Sequence, residues 1–164
     1  MHKKISYGGM ATAICVVLLM LALYVPSGKA AALFLASVTS YVTAILTDKK
    51  TAFISYGATS TLLCLIAPNA SPLILVSYVV CFGNYPILML ILSDKPFAVN
   101  VIIKLLLYGV YFAFVYFICK LLFSVVFPYN VWLLFAGGTF VFAFYDRLLF
   151  HTGRYILARF FKSF

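Results

Sequence analysis

Long apolar runs separated by short polar breaks constrain this chain more than any motif in it. The breaks are Pro26-Ser27-Gly28-Lys29, Thr47-Asp48-Lys49-Lys50, Pro68-Asn69-Ala70-Ser71-Pro72, Ser93-Asp94-Lys95-Pro96 and Pro128-Tyr129-Asn130. Pro, Gly, Asn and Asp end helices, and lysine stays in water. The runs between them are Ile5–Tyr24, Ala30–Leu46, Thr51–Ala67, Leu73–Leu92, Phe97–Phe127 and Val131–Phe150. About 20 helical residues, rising about 1.5 Å each, cross a hydrocarbon layer of about 30 Å. Each run therefore predicts one span, and the fifth must tilt, kink or extend past the layer. The runs are continuous rather than alternating, which excludes a transmembrane barrel.

The expected fold is an all-α membrane protein of six transmembrane helices, occupying residues 1–150. Only 9% of the residues are charged and 66% are hydrophobic, whereas soluble domains carry about 25% charge. Six spans leave no length for a soluble catalytic domain. The first run follows the basic start Met1-His2-Lys3-Lys4, but it has full-span length and no small-x-small cleavage site, so it reads as a retained helix. Cys15, Cys64, Cys81 and Cys119 all fall inside apolar runs without CxxC spacing and read as small buried hydrophobes.

Orientation follows from the basic residues. One side holds Lys3, Lys4, Lys49, Lys50, Lys95, Arg154, Arg159 and Lys162, while the loops on the other side hold only Lys29. By the positive-inside rule both termini are expected in the cytoplasm, with the chain multi-pass in the plasma membrane. The same rule accounts for the net charge of +9 without nucleic-acid binding. Residues 151–164 differ in kind. On a helix Ile156, Leu157, Phe160, Phe161 and Phe164 share one face, flanked by Arg154, Arg159 and Lys162, which predicts a short basic amphipathic helix at the cytoplasmic interface.

Few groups can carry chemistry, since only Asp48, Asp94 and Asp146 are acidic. A charge in hydrocarbon costs about 2.5 to 3.5 kcal/mol, so charges within spans stand out. Lys104 lies about 12 Å along its helix from Pro96, and Asp146 lies at similar depth on a helix running the other way. They are expected to form a structural ion pair. Lys120 can snorkel outward, and with Lys29 it supplies the fixed charge of the outer face. The aromatics Tyr108, Tyr111, Phe112, Phe114, Tyr116 and Phe117 read as packing. In the fourth run Pro86 and Gly83 predict a kink that frees backbone carbonyls and turns Asn84 inward, as in the broken helices that line transporter sites. Gly9 and Ala13 have small-xxx-small spacing, which lets another helix approach closely. There is no P-loop, HExxH, GxSxG or paired-carboxylate site, so neither enzyme activity nor a cofactor is expected.

Six spans with both ends inside, together with Gly9-xxx-Ala13 on the first helix, resemble the membrane-embedded substrate-binding subunit, or S component, of energy-coupling factor vitamin transporters. Gly9 stands where that family has the first Ala of its AxxxA motif. The resemblance implies that the first helices meet a transmembrane coupling subunit through Gly9 and Ala13, and that separate cytoplasmic ATPases supply the energy. It further implies a solute held by the later helices and outer loops. Lys29, Asn69, Tyr78, Asn84, Tyr116 and Lys120 are the polar candidates for contacting it. No His or carboxylate lies near the outer face, which favours a small organic or anionic solute over a metal ion. The alternative reading is a non-transporting membrane scaffold that binds partner proteins through its basic loops and tail.

Overall fold

The computed structural model describes residues 2–25, 28–66, 72–92, 96–123 and 130–160. Among them the chain is all-helical: α1 (His2–Tyr24), α2 (Lys29–Leu46), α3 (Lys49–Ile66), α4 (Pro72–Ser77), a π-helical turn (Tyr78–Phe82), α5 (Tyr85–Leu92), α6 (Phe97–Phe123) and α7 (Val131–Phe160). The polar breaks do the work their composition implies. Asp48 accepts the Thr51 amide at 2.8 Å and so caps α3, and Asn130 accepts the Trp132 amide at 3.3 Å at the start of α7. Side-chain oxygens at these positions satisfy amides that have no partner within the helix.

Five helical stretches among the described residues are long and apolar enough to cross a membrane: Ile5–Tyr24, Lys29–Leu46, Ile74–Leu92, Val99–Ile118 and Val131–Arg159. Six were expected. The run from Thr51 forms α3, but its helix begins with Lys49 and Lys50 and carries Thr51, Ser55, Thr59, Ser60 and Thr61, which lower its apolarity. These hydroxyls bond inside the protein. Thr59 donates to the Ser55 carbonyl, Ser60 to that of Tyr56 and Thr61 to that of Gly57, each at 2.9 Å.

The central element is α2. It packs on α1, α3, α5, the π turn and α7, and buries Ala32, Leu33, Ala36, Ser37, Val38, Ser40, Tyr41, Thr43 and Ala44. Small residues dominate this set because helices in an apolar medium gain by close backbone approach. One core joins Cys15, Leu19 and Ala22 of α1 to Leu33, Ala36, Leu63, Ile74 and Tyr78. A second joins Val38 and Tyr41 to Tyr85, Met89, Tyr111 and Leu149. The outer surface is apolar: Phe140, Val141 and Phe144 of α7 and Leu106, Val110 and Phe117 of α6 are all more than half exposed. So broad an apolar surface suits lipid rather than water.

Glycine positions mark the closest helix contacts. A Cβ on Gly8 would lie 3.0 Å from Thr51 Cγ2, whereas one on Gly9 would meet nothing within 4 Å among the described residues. The Gly8 carbonyl accepts Thr12 Oγ1 at 2.9 Å and Ser55 Oγ at 3.2 Å, so this glycine seats α1 on α3.

The tail does not begin a separate helix. α7 runs unbroken from Val131 to Phe160, through the boundary expected at residue 150, and residues 161–164, including Phe161, Lys162 and Phe164, lie outside the described set. Ile156 packs against the second core, and Arg154 stacks over Phe150 at 4.6 Å. Gly153 is what allows this extension, because a Cβ there would overlap the ring of buried Tyr41 on α2. Gly153→Leu is expected to destabilise the fold by about 1–3 kcal/mol through overpacking. A lower midpoint in SDS-induced unfolding, followed by loss of helicity, would register it; an unchanged midpoint would refute the α2–α7 seating.

Candidate functional site

The fourth apolar run is broken at the π turn. Gly83 N donates to the Tyr78 carbonyl at 2.8 Å, one residue beyond its α-helical partner, Val79. Tyr56 Oη reaches across from α3 and donates to the Val79 carbonyl at 2.6 Å. Gly83 is required at this point, since a Cβ there would stand 2.7 Å from two ring carbons of Tyr56. The helix resumes at Tyr85, with Ile87 and Leu88 both donating to the Asn84 carbonyl at 3.2 Å. Pro86, which has no amide to donate, sits in this first turn, where none is needed.

Two sets of groups gather where the broken run faces α6 and α7. The first is polar. Lys104 Nζ lies 2.9 Å from Asp146 Oδ1 and 2.8 Å from Oδ2, and Tyr85 Oη donates to Oδ1 at 2.5 Å. One carboxylate thus ties α5, α6 and α7 together. Both ionised side chains are 19% exposed, so each largely neutralises the other's charge out of water. A pocket of about 220 Å³ lies against this pair and also reaches Thr139 and Arg147.

The second set is aromatic. A chamber of about 330 Å³ opens between the π turn, α6 and α7, with Ser77, Cys81 and Gly138 among its lining residues and rings forming most of its wall. Two of its ring pairs meet edge to face, Tyr85 and Phe142 at 4.8 Å and 68° and Phe82 and Tyr145 at 5.2 Å and 74°, while others, such as Tyr108 and Phe142 at 5.1 Å and 34°, are tilted. Tyr108 and Phe142 stand in both cavities, so the aromatic chamber adjoins the ion pair. Gly138 leaves the space occupied by the Tyr108 hydroxyl, which donates to the Phe135 carbonyl at 3.1 Å. The Tyr145 hydroxyl bonds Ser37 on α2. Tyr111 also lines the chamber, and its buried hydroxyl has no partner among the described residues.

The polar residues expected to contact a solute do not converge on this chamber. Lys29 and Lys120 are exposed at helix ends. Asn69 lies outside the described residues. Tyr78 is fully buried in the first core, and Tyr116 stacks on Phe112 at 6.2 Å. Asn84 is half-buried beside the break, its Oδ1 without a partner among the described residues. Gly9 and Ala13 are exposed on α1, away from its contacts with α2 and α3. Of the chamber residues, Tyr108 and Tyr111 were legible only as aromatics at helical spacing, a pattern that packing produces equally well, and Tyr85, Phe142 and Tyr145 were not singled out. Among the described residues no group of three His, Cys, Asp or Glu could hold a metal ion. Comparison with protein-family models, with curated proteins and with solved structures finds no match to this chain.

Proposed function

We propose that this chain is the membrane-embedded substrate-binding subunit of a multi-subunit, ATP-driven uptake transporter for a small organic solute. It crosses the plasma membrane six times with both termini in the cytoplasm, α3 being the span that the apolarity of the other five does not extend to. The observation that carries the reading is the chamber of about 330 Å³ at a broken helix, a size in the range of small-molecule sites. A scaffold working through its loops and tail has no use for such a space. Irregular backbone at membrane depth is tolerated where it is buried in protein or lines a cavity. The hydroxyls of α3 bond within the protein, which lowers the cost of its crossing. The second support is the exposed face of α1, where a Cβ on Gly9 meets nothing within 4 Å among the described residues and a partner helix has room to approach.

Co-purification from native lipid is the test. The wild-type chain is expected to bring down a coupling subunit and an ATPase pair, and Gly9→Leu or Ala13→Leu to abolish that association. Gly9→Leu should leave the isolated chain as stable as before or more stable by up to about 1 kcal/mol, because leucine favours helix over glycine and meets no obstacle. An intact complex in both variants would overturn docking through this face. Recovery of envelope-assembly proteins in place of an ATPase would overturn the transporter reading in favour of the scaffold.

A further inference from the structure

We infer that the solute is a flat, uncharged aromatic ring system with one hydrogen-bonding group on its edge, held in the chamber between the π turn, α6 and α7 with that edge against Tyr111. The inference rests on reading the chain as a solute-binding subunit. Seven of the twelve lining residues are aromatic and none is ionised. Lys104 and Asp146, next door, are committed to each other and to Tyr85. A charged guest would therefore lose its water without gaining a counter-ion. Shape and ring geometry select further. The wall presents both edges and faces, as the Tyr85–Phe142 and Phe82–Tyr145 pairs show. An alkyl guest would gain only burial there, whereas a flat ring adds edge-to-face and offset contacts.

Tyr111 supplies the polar specificity. The other three chamber tyrosines already use their hydroxyls, on Asp146, Phe135 and Ser37 respectively for Tyr85, Tyr108 and Tyr145. Tyr111 is 9% exposed and its hydroxyl has no partner among the described residues. A buried hydroxyl left unpaired is costly, and a solute edge that bonds to it removes the cost. A quaternary ammonium, the other guest that aromatic cages accept, has no group to offer it.

The test uses the isolated chain in lipid nanodiscs, with 2-naphthol, naphthalene, decahydro-2-naphthol and tetramethylammonium as probes. Binding is measured against a Val115→Trp variant that fills the chamber, with helicity checked by circular dichroism. 2-Naphthol is expected to bind the wild type at least about tenfold tighter than its saturated analogue and to lose that binding in Val115→Trp. Tyr111→Phe, which keeps the ring, is expected to weaken 2-naphthol by about two- to tenfold and to leave naphthalene unchanged. Equal binding of the saturated analogue, preference for tetramethylammonium, or absence of 2-naphthol binding would each overturn the inference. None of these outcomes depends on the coupling subunit. An intact ATPase complex with no aromatic preference would sink the ligand class alone, and an aromatic preference without any complex would sink the subunit reading alone.

Discussion

Asp146→Leu is expected to destabilise the protein by about 3 kcal/mol, the low end of the cost of leaving one member of a buried ion pair alone. Its carboxylate takes two contacts from Lys104 and one from Tyr85, so three helices lose their common partner at once. The low end is chosen because the side chains retain 19% exposure, and water at that opening relieves part of the stranded lysine's penalty. Asp146→Asn should fall between, since an amide oxygen can still accept from Tyr85 but carries no charge. The double variant Lys104→Met with Asp146→Leu should recover most of the loss, because two apolar side chains of similar length cost little to bury. SDS-titration midpoints in mixed micelles measure all three. If the double variant is as weak as Asp146→Leu alone, the pair is not the source of the effect.

Tyr85→Ala should cost slightly more, about 4 kcal/mol, the middle of the range for emptying a fully buried aromatic site. Tyr85 has no exposed surface, and its ring meets Phe142 and Tyr145 at 4.8 and 5.7 Å. Tyr85→Phe divides that loss. It keeps the ring and removes only the hydroxyl that donates to Asp146, which should cost about 2 kcal/mol, as hydrogen bonds to charged groups do. In an Asp146→Leu background the same Tyr85→Phe change should cost almost nothing further, because residues sharing one network do not add. Additive losses would mean that the hydroxyl and the carboxylate act independently.

Lys104 and Asp146 show how far residue order reaches. Helix rise puts them at the same depth, so the pairing was legible once the spans were drawn. That Tyr85 completes the cluster was not legible, because it depends on how the helix after the π turn is rotated. The kink was predicted from Gly83 and Pro86, but the π turn that precedes it was not, since Tyr56 on a different helix takes the carbonyl it releases. Gly8 and Gly9 make the same point at smaller scale. Adjacent on a helix, they point about 100° apart, and only the packing of α1 on α3 decides that Gly8 is the contact and Gly9 the open position.

The tail makes the point in the opposite direction. Its basic amphipathic pattern suggested a segment distinct from the last span, yet residues 151–160 continue α7, where Gly153 leaves the space that the ring of Tyr41 fills. By itself the sequence determined that the chain is helical and apolar enough for a membrane, where most breaks fall, and which charges share a depth, because length, hydropathy and helix rise are local properties. Only the tertiary structure decided that rings from the fourth run, α6 and α7 enclose a chamber. Helical periodicity tells which residues share a face, whereas what that face meets depends on the rotation and spacing of helices distant in the chain.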